Sequence, residues 1–123
     1  MRRRILIVED EPAFAEVLTE LLIDEGYSVL HVRDGITAVN VLVNGRQQPD
    51  LIVCDVMLPG LRGDRVAAEV RDRLPNARLP IVLMSASADP RVDLRDVVFM
   101  PKPFDSADLL DCIDSMLHVG VAR

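Results

Sequence analysis

The chain has 123 residues, of which 50% are hydrophobic and 28% are charged, so we expect one globular domain and not a disordered polypeptide. Its net charge of −6 argues against nonspecific nucleic-acid binding, and no apolar stretch is long enough to span a bilayer. Cys54 and Cys112 lack metal-ligand spacing, so we interpret them as buried or half-buried thiols of a cytoplasmic protein.

The first predicted strand covers residues 4–8 and runs directly into Glu9 and Asp10. A helix is predicted to begin at Pro12, which suits the first helical position, with Asp10 or Glu11 as its cap. Apolar residues at three- and four-residue spacing predict one buried stripe on this helix. These residues are Phe14, Val17, Leu18, Leu21 and Leu22.

The second strand is predicted at residues 28–32, and Asp34 opens a second helix that Gly45 closes. The third strand is the apolar run 51–54, which ends at Asp55. A lone aspartate after such a run is most often a helix cap or a turn former. A carboxylate at the carboxyl end of a buried strand also lies where open α/β sheets bind ligands.

The third helix is predicted at residues 64–74, and the fourth strand, residues 79–84, runs into Ser85. The fifth strand is short, residues 97–100, and Asp105 caps the last helix. The apolar stripe of that helix is Leu109, Leu110, Ile113, Met116 and Leu117.

The connection between the fourth and fifth strands is unusually short. If the strands end at Ser85 and start at Val97, only residues 86–96 remain for the crossover, with Pro90 among them. That length is about the minimum for a parallel connection. We therefore expect the fourth helix to be shortened or irregular, with one or two turns near residues 91–96.

Strands that alternate with helices predict a parallel sheet covered on both faces. With five strands, the leading fold class is α/β, a flavodoxin-like doubly wound sheet of order 2-1-3-4-5. In that order the carboxyl ends of the first and third strands are neighbours. Three strand-end polar segments then meet at one edge, which favours a binding site over isolated caps.

Glu9, Asp10 and Asp55 are expected to form an acidic cluster at this edge. Crowded carboxylates resist ionisation, so the cluster calls for a cation, and oxygen ligands favour Mg²⁺. With an adjacent cation, a carboxylate can act as a nucleophile towards phosphorus and form an aspartyl phosphate.

Lys102 and Ser85 are the further candidates for contact with a phosphoryl group. Lys102 is followed by Pro103, and a lysine is an effective point charge against phosphate. Taken alone, Lys102 reads equally as a solvated lysine in a proline-rich turn, and Ser85 as a cap or turn residue.

The chain resembles the response-regulator receiver domains of bacterial two-component signalling. The segments that carry this resemblance are ILIVEDE, PDLIVCDVMLPGLRG, IVLMSA and KPF, in this order. The resemblance implies that Asp55 is the phosphoacceptor. It also implies that Mg²⁺ is held by Asp10 directly, by Glu9 through water, by Asp55 and by the backbone carbonyl of Met57.

The resemblance implies further roles around the phosphoryl group. Ser85 and Lys102 would contact it, and Ser85 and Phe99 would form the switch. The Lys102–Pro103 peptide bond is expected to be cis. Taken alone, Phe99 is equally an ordinary core aromatic at a strand edge.

The implied protein is a single receiver domain over residues 1–123, without an output domain in this chain. Its phosphodonor would be a sensor histidine kinase or a phosphotransfer protein, and its output an unknown protein partner or a homodimer. No direct nucleic-acid or membrane contact is expected. Beyond its own phosphoryl transfer and hydrolysis, it is not expected to be an enzyme.

Three other functions stay open. The first is a receiver-like protein-interaction module that is never phosphorylated, for which the short crossover is the best support. The second is a phosphatase with an aspartyl nucleophile. Phosphatases of this kind, which are haloacid-dehalogenase-like enzymes, carry a second aspartate at the position where this chain has Met57. The third is a flavin-binding flavodoxin-like protein, which the acidic residues after the first strand disfavour.

Overall fold

A computed structural model describes residues 2–45, 48–75, 78–86 and 96–118. In chain order, its strands are β1 (Arg4–Val8), β2 (Ser28–Val32), β3 (Leu51–Asp55), β4 (Ile81–Ser85) and β5 (Val97–Pro101). The helices of the described ranges are α1 (Pro12–Asp24), α2 (Gly35–Asn44), α3 (Gly63–Arg73) and α4 (Ser106–Leu117). A shortened helix was expected near residues 91–96 of the β4–β5 crossover, and residues 87–95 lie outside the described residues.

The five strands form one sheet of order β2-β1-β3-β4-β5, and every neighbouring pair is parallel, which confirms the predicted topology. The register aligns the carboxyl ends of the strands: Val8 is level with Cys54, Asp55 with Met84, and Ser85 with Pro101. Polar groups that follow β1, β3, β4 and β5 are therefore brought to one edge of the sheet.

Helices on both faces of the sheet bury its central strands, so β3 and β4 are buried along their whole length. One apolar cluster joins α2 and α3 to the sheet, through residues such as Leu42 and Val66. A second joins α1 and α4 to the opposite face, through residues such as Leu18 and Ile113. The doubly covered sheet is the rigid frame on which the strand-end residues are mounted.

The buried stripe predicted on α1 is wrong at Val17, whose exposed fraction is 61%. Leu18 and Leu22 are buried, whereas Phe14 and Leu21 are half-buried. At 100° per residue, Val17 lies about 140° around the helix from Leu22, so it points away from the sheet. The apolar spacing was correct, but the centre of the buried face lies nearer Leu22.

Several element boundaries differ by one or two residues from the prediction. The fourth strand begins at Ile81 instead of Leu79, because Pro80 has no N–H to donate to the ladder. The third helix begins at Gly63, one residue earlier than predicted, and β5 extends to Pro101. Within the described residues, no helix combines the length and the apolar character that crossing a membrane requires.

Candidate functional site

Three carboxylates meet at the carboxyl edge of the sheet. Glu9 directly follows β1, and Asp55 is the last residue of β3, the neighbour of β1. One oxygen from each of Glu9, Asp10 and Asp55 lies within 4.8 Å of the others. Glu9 and Asp55 are buried and Asp10 is exposed, so the cluster is open to solvent on one side.

Glu9 is held in a poor environment for a negative charge. Burial raises its pKa, and the neighbouring Asp55 raises it further, whereas the backbone N–H of Glu11 and the Lys102 ammonium oppose the shift. Glu9 Oε2 accepts the Glu11 N–H at 3.1 Å. Among the described residues, Glu9 Oε1 is buried and has no hydrogen-bond partner.

The donor set of this cluster fits a hard divalent cation. The three residues offer carboxylate oxygens, and one of those oxygens is buried without a hydrogen bond. Mg²⁺ takes oxygen ligands and retains several waters, so it suits a cluster that is open on one side. Zinc would be expected with nitrogen or sulfur ligands, and the nearby Cys54 points into the core under α2 and α3.

Lys102 brings a positive charge to the cluster from the end of β5. Its Nζ lies 3.4 Å from Asp55 Oδ2 and 3.7 Å from Glu9 Oε1. The backbone N–H of Lys102 donates to the carbonyl of Ser85 at 2.8 Å, which ties the end of β5 to the end of β4. The Lys102–Pro103 peptide bond is cis.

The remaining predicted residues take different positions. Ser85 is fully buried at the end of β4. The backbone N–H of Met57 donates to Asp55 Oδ1 at 3.3 Å, and the Met57 side chain is exposed, with its Sδ 3.5 Å from Arg62 Nη1. Phe99 is half-buried in β5 and packs against the core cluster of α2 and α3.

Gly63 is a site residue to which the sequence analysis gave no role. Its N–H donates to the carbonyl of Val56 at 2.8 Å, and a Cβ at this position would overlap the carbonyl oxygen of Asp55. The start of α3 therefore packs directly on the backbone of Asp55. The glycine shortly after the Pro59–Gly60 turn was the one sequence signal of this close approach.

His31 and Phe14 were also missed. His31, on β2, donates from Nε2 to the backbone carbonyl of Glu9 at 2.8 Å. Phe14, on α1, places its ring 4.4 Å from Lys102 Nζ, measured to the ring centroid. Both contacts join segments far apart in the chain, and neither belongs to a local pattern that a sequence reading detects.

Comparison with known proteins gives one consistent family. A model described as the response regulator receiver domain matches residues 5–114. DNA-binding response regulator MtrA from Mycolicibacterium smegmatis is 35% identical over 127 residues, a match that covers 96% of this chain and 52% of that protein. The chain spans about half the length of the curated relatives it matches.

Solved structures of similar fold point the same way. The signal receiver domain of a signal transduction histidine kinase from Syntrophus aciditrophicus is 32% identical, with a TM-score of 0.84 and coverage of 98% of this chain and 95% of that one. The receiver domain of sensor histidine kinase PA1611 from Pseudomonas aeruginosa is 31% identical, with a TM-score of 0.83 and coverage of 95% and 98%. That structure is described with a magnesium ion coordinated in its active-site cleft.

Proposed function

Because the chain belongs to the response-regulator receiver domain family of two-component signalling, we propose that it is a phosphorylation-dependent switch in which Asp55 accepts the phosphoryl group. In this proposal residues 1–123 act as one receiver domain. The phosphodonor is a sensor histidine kinase or a phosphotransfer protein, and the phosphorylated form binds a downstream protein partner differently from the free form.

One observation carries the proposal. Asp55 ends a central strand with an ammonium 3.4 Å from its Oδ2 and two further carboxylates around it. A solvated cap or turn aspartate would have no reason to be buried among like charges. The arrangement suits a nucleophilic carboxylate at a cation site.

Asp55 would act as the nucleophile. A carboxylate oxygen of Asp55 forms a bond to phosphorus, and the bond from phosphorus to the donor nitrogen or oxygen breaks, with its electron pair leaving on the donor. Lys102, already paired with Asp55, offsets the negative charge that the phosphoryl oxygens bring to the site. The Ser85 hydroxyl is the proposed hydrogen-bond donor to one of those oxygens.

Magnesium would be held by Asp10, Asp55, the backbone carbonyl of Met57 and, through water, Glu9. When bound, it would supply the positive charge that allows an anionic phosphoryl group to enter an acidic pocket. In the free protein, the N–H groups of Glu11 and Met57 orient the carboxylates of Glu9 and Asp55 from one side of each.

Ser85 and Phe99 would carry the switch. Ser85 lies at the end of β4, and Phe99 lies on the neighbouring strand β5, level with Leu83. The half-buried ring of Phe99 packs on the core beneath α2 and α3, so a change at Ser85 can alter how that ring packs. Phe99 has no hydroxyl, so its position would be read by packing and not by an outward hydrogen bond.

Phosphoryl transfer to Asp55 is tested with the Asp55→Asn variant. Acetyl phosphate carrying radiolabelled phosphorus and MgCl₂ should give acid-labile labelling of the wild-type protein and none of Asp55→Asn. Asp108→Asn, which changes an exposed carboxylate in the first turn of α4, serves as the matched control and should label normally.

Labelling that persists on another residue of Asp55→Asn would refute the assignment of Asp55. A wild-type protein that binds magnesium but accepts no label, either from acetyl phosphate or from histidine kinases carrying phosphohistidine, would favour the non-phosphorylated interaction module. Turnover of a phosphate ester would instead favour a phosphatase.

A further inference from the structure

The Lys102 ammonium lies over the face of an aromatic ring as well as near two carboxylates. Its Nζ lies 4.4 Å from the centroid of the Phe14 ring, within the range of a cation–π interaction. The Phe14 ring in turn meets the ring of Phe104 edge-on, with centroids 6.1 Å apart and an interplanar angle of 61°. The two rings come from the first turn of α1 and from the segment just before α4, so both sides of the contact are anchored in the fold.

The two ion pairs of Lys102 are too long to fix the position of its ammonium by themselves. Its Nζ is 3.4 Å from Asp55 Oδ2 and 3.7 Å from Glu9 Oε1, whereas a close charge-assisted hydrogen bond is about 2.7–2.9 Å long. The ammonium thus lies near two carboxylates and one ring face, and it makes a close hydrogen bond to neither carboxylate. Because the four-carbon stem of lysine is flexible, a third contact helps to fix the position of the ammonium.

Space beside the lysine makes the third contact matter. A cavity of about 350 Å³ borders Lys102, and the described residues that line it are Glu11, Phe14, Ala86, Lys102, Pro103 and Phe104. The Lys102 side chain therefore has free space beside it. Among the described residues that line this cavity, Phe14 presents its ring face to the ammonium at cation–π distance.

We propose that Phe14 is a positioning residue for phosphoryl capture: its ring face holds the Lys102 ammonium where a phosphoryl group on Asp55 would meet it. The inference rests on the function proposed above and adds to it a residue outside the strand ends. The attraction comes from the electron density of the ring face, so an aliphatic side chain of similar volume fills the space without replacing it.

Fluorinated phenylalanines at position 14 test this directly. One, two and three fluorines withdraw electron density from the ring face in steps and leave its shape nearly unchanged. We expect the affinity for beryllofluoride, a tetrahedral phosphoryl analogue, to weaken stepwise at saturating MgCl₂, by about fivefold over the series. The affinity for Mg²⁺ alone should stay constant, because the Phe14 ring acts on the Lys102 ammonium, which is not a proposed magnesium ligand.

The same substitutions at Phe104 are the matched control. That ring lies in the same cavity wall but contacts the Phe14 ring, so its fluorination should leave the beryllofluoride affinity nearly unchanged. A flat response across the Phe14 series would overturn the proposal. An equal decline in the Phe104 series would overturn it as well, because the effect would then be one of general packing.

A second readout does not depend on phosphoryl capture. In the metal-free protein, the ring current of Phe14 should shift the Lys102 ε-methylene proton resonances upfield, and Phe14→Leu should return them to ordinary values while Phe14→Tyr retains the shift. If the wild-type protein failed to bind beryllofluoride, the proposed function would be in error, and the resonance shift would still decide whether Phe14 holds Lys102. Unshifted Lys102 resonances in the wild-type protein would exclude that role.

Discussion

Glu9 at the edge of the sheet and Asp34 at the start of α2 are both acidic, but the fold treats them in opposite ways. Burial and the nearby Asp55 raise the pKa of Glu9. Hydrogen bonds from the backbone N–H and the hydroxyl of Thr37 lower the pKa of Asp34. Asp34 is thus placed where its charge is favourable, whereas Glu9 is placed where its charge is unfavourable until a cation arrives.

The contrast separates acidic residues that stabilise the fold from acidic residues that destabilise it. An N-cap carboxylate satisfies backbone donors that the helix leaves unpaired. A buried carboxylate next to another one lowers stability and prepares a cation site. Removing the hydrogen-bonding carboxylate should therefore destabilise the protein at Asp34, whereas removing the charge should stabilise it at Glu9. Adding a cation should affect only Glu9.

Magnesium binding should give the largest change in the free energy of unfolding. If Mg²⁺ binds the folded acidic cluster and not the unfolded chain, a concentration of one hundred times Kd should raise the free energy of unfolding by about 2.7 kcal/mol. Asp10→Asn should remove most of this gain because it deletes a proposed direct ligand. Denaturant titrations with MgCl₂ and with EDTA measure both values.

Asp24→Asn, which changes an exposed carboxylate at the end of α1, is the control for general effects of charge. It should retain the full magnesium response. An Asp10→Asn protein that is stabilised as much as the wild type would argue against a cation site at the strand ends.

Glu9→Gln should give the next largest change in the free energy of unfolding. Unlike most substitutions of buried residues, it should stabilise the protein. In EDTA at pH 7, we expect the variant to be more stable than the wild type by about 1 kcal/mol, because a buried charge beside Asp55 has been removed. The measurement is the free energy of unfolding of both proteins in denaturant, repeated at several pH values.

The sign of the pH dependence follows from the raised pKa of Glu9. The folded protein binds the proton more tightly than the unfolded chain, so wild-type stability falls as the pH rises from the ordinary value of 4.5 through the raised pKa. The advantage of Glu9→Gln should consequently shrink as the solution is acidified towards pH 4.5. An advantage that grows on acidification would contradict the assignment of the shift to burial.

Asp34→Ala should give the smallest effect and destabilise the protein. Its carboxylate is exposed and its lowered pKa reflects the bonds to Thr37, so the loss should be visible at neutral pH. Because the pKa is lowered in the folded state, this contribution is present above the ordinary value of 3.8 and disappears as the pH falls through the lowered pKa.

Asp34→Asn separates the cap from the charge. Asparagine is as good an N-cap as aspartate, so this variant should keep most of the stability at neutral pH and lose the pH dependence. Thermal unfolding of the wild type, Asp34→Ala and Asp34→Asn at neutral and acidic pH measures both effects. Equal stability of Asp34→Ala and the wild type would mean that the Thr37 bonds contribute little.

Much of this architecture was predictable because the signals are local. Alternating strands and helices predicted the parallel sheet and its order, and the caps of α2 and α4 were identified from Asp34 and Asp105. The stripe on α1 was misjudged at Val17, since spacing alone does not say which side of a wide apolar face meets the sheet.

What the sequence determined by itself is the identity of the groups at the strand ends. Parallel strands point their carboxyl ends the same way, so Glu9, Asp10 and Asp55 had to share one edge once the order was known. Only the tertiary structure decided that Glu9 is buried while Asp10 is exposed, that Gly63 packs on Asp55, and that Phe14 lies over Lys102. Those contacts depend on how helices seat against the sheet, and that seating is set by packing between residues far apart in the chain.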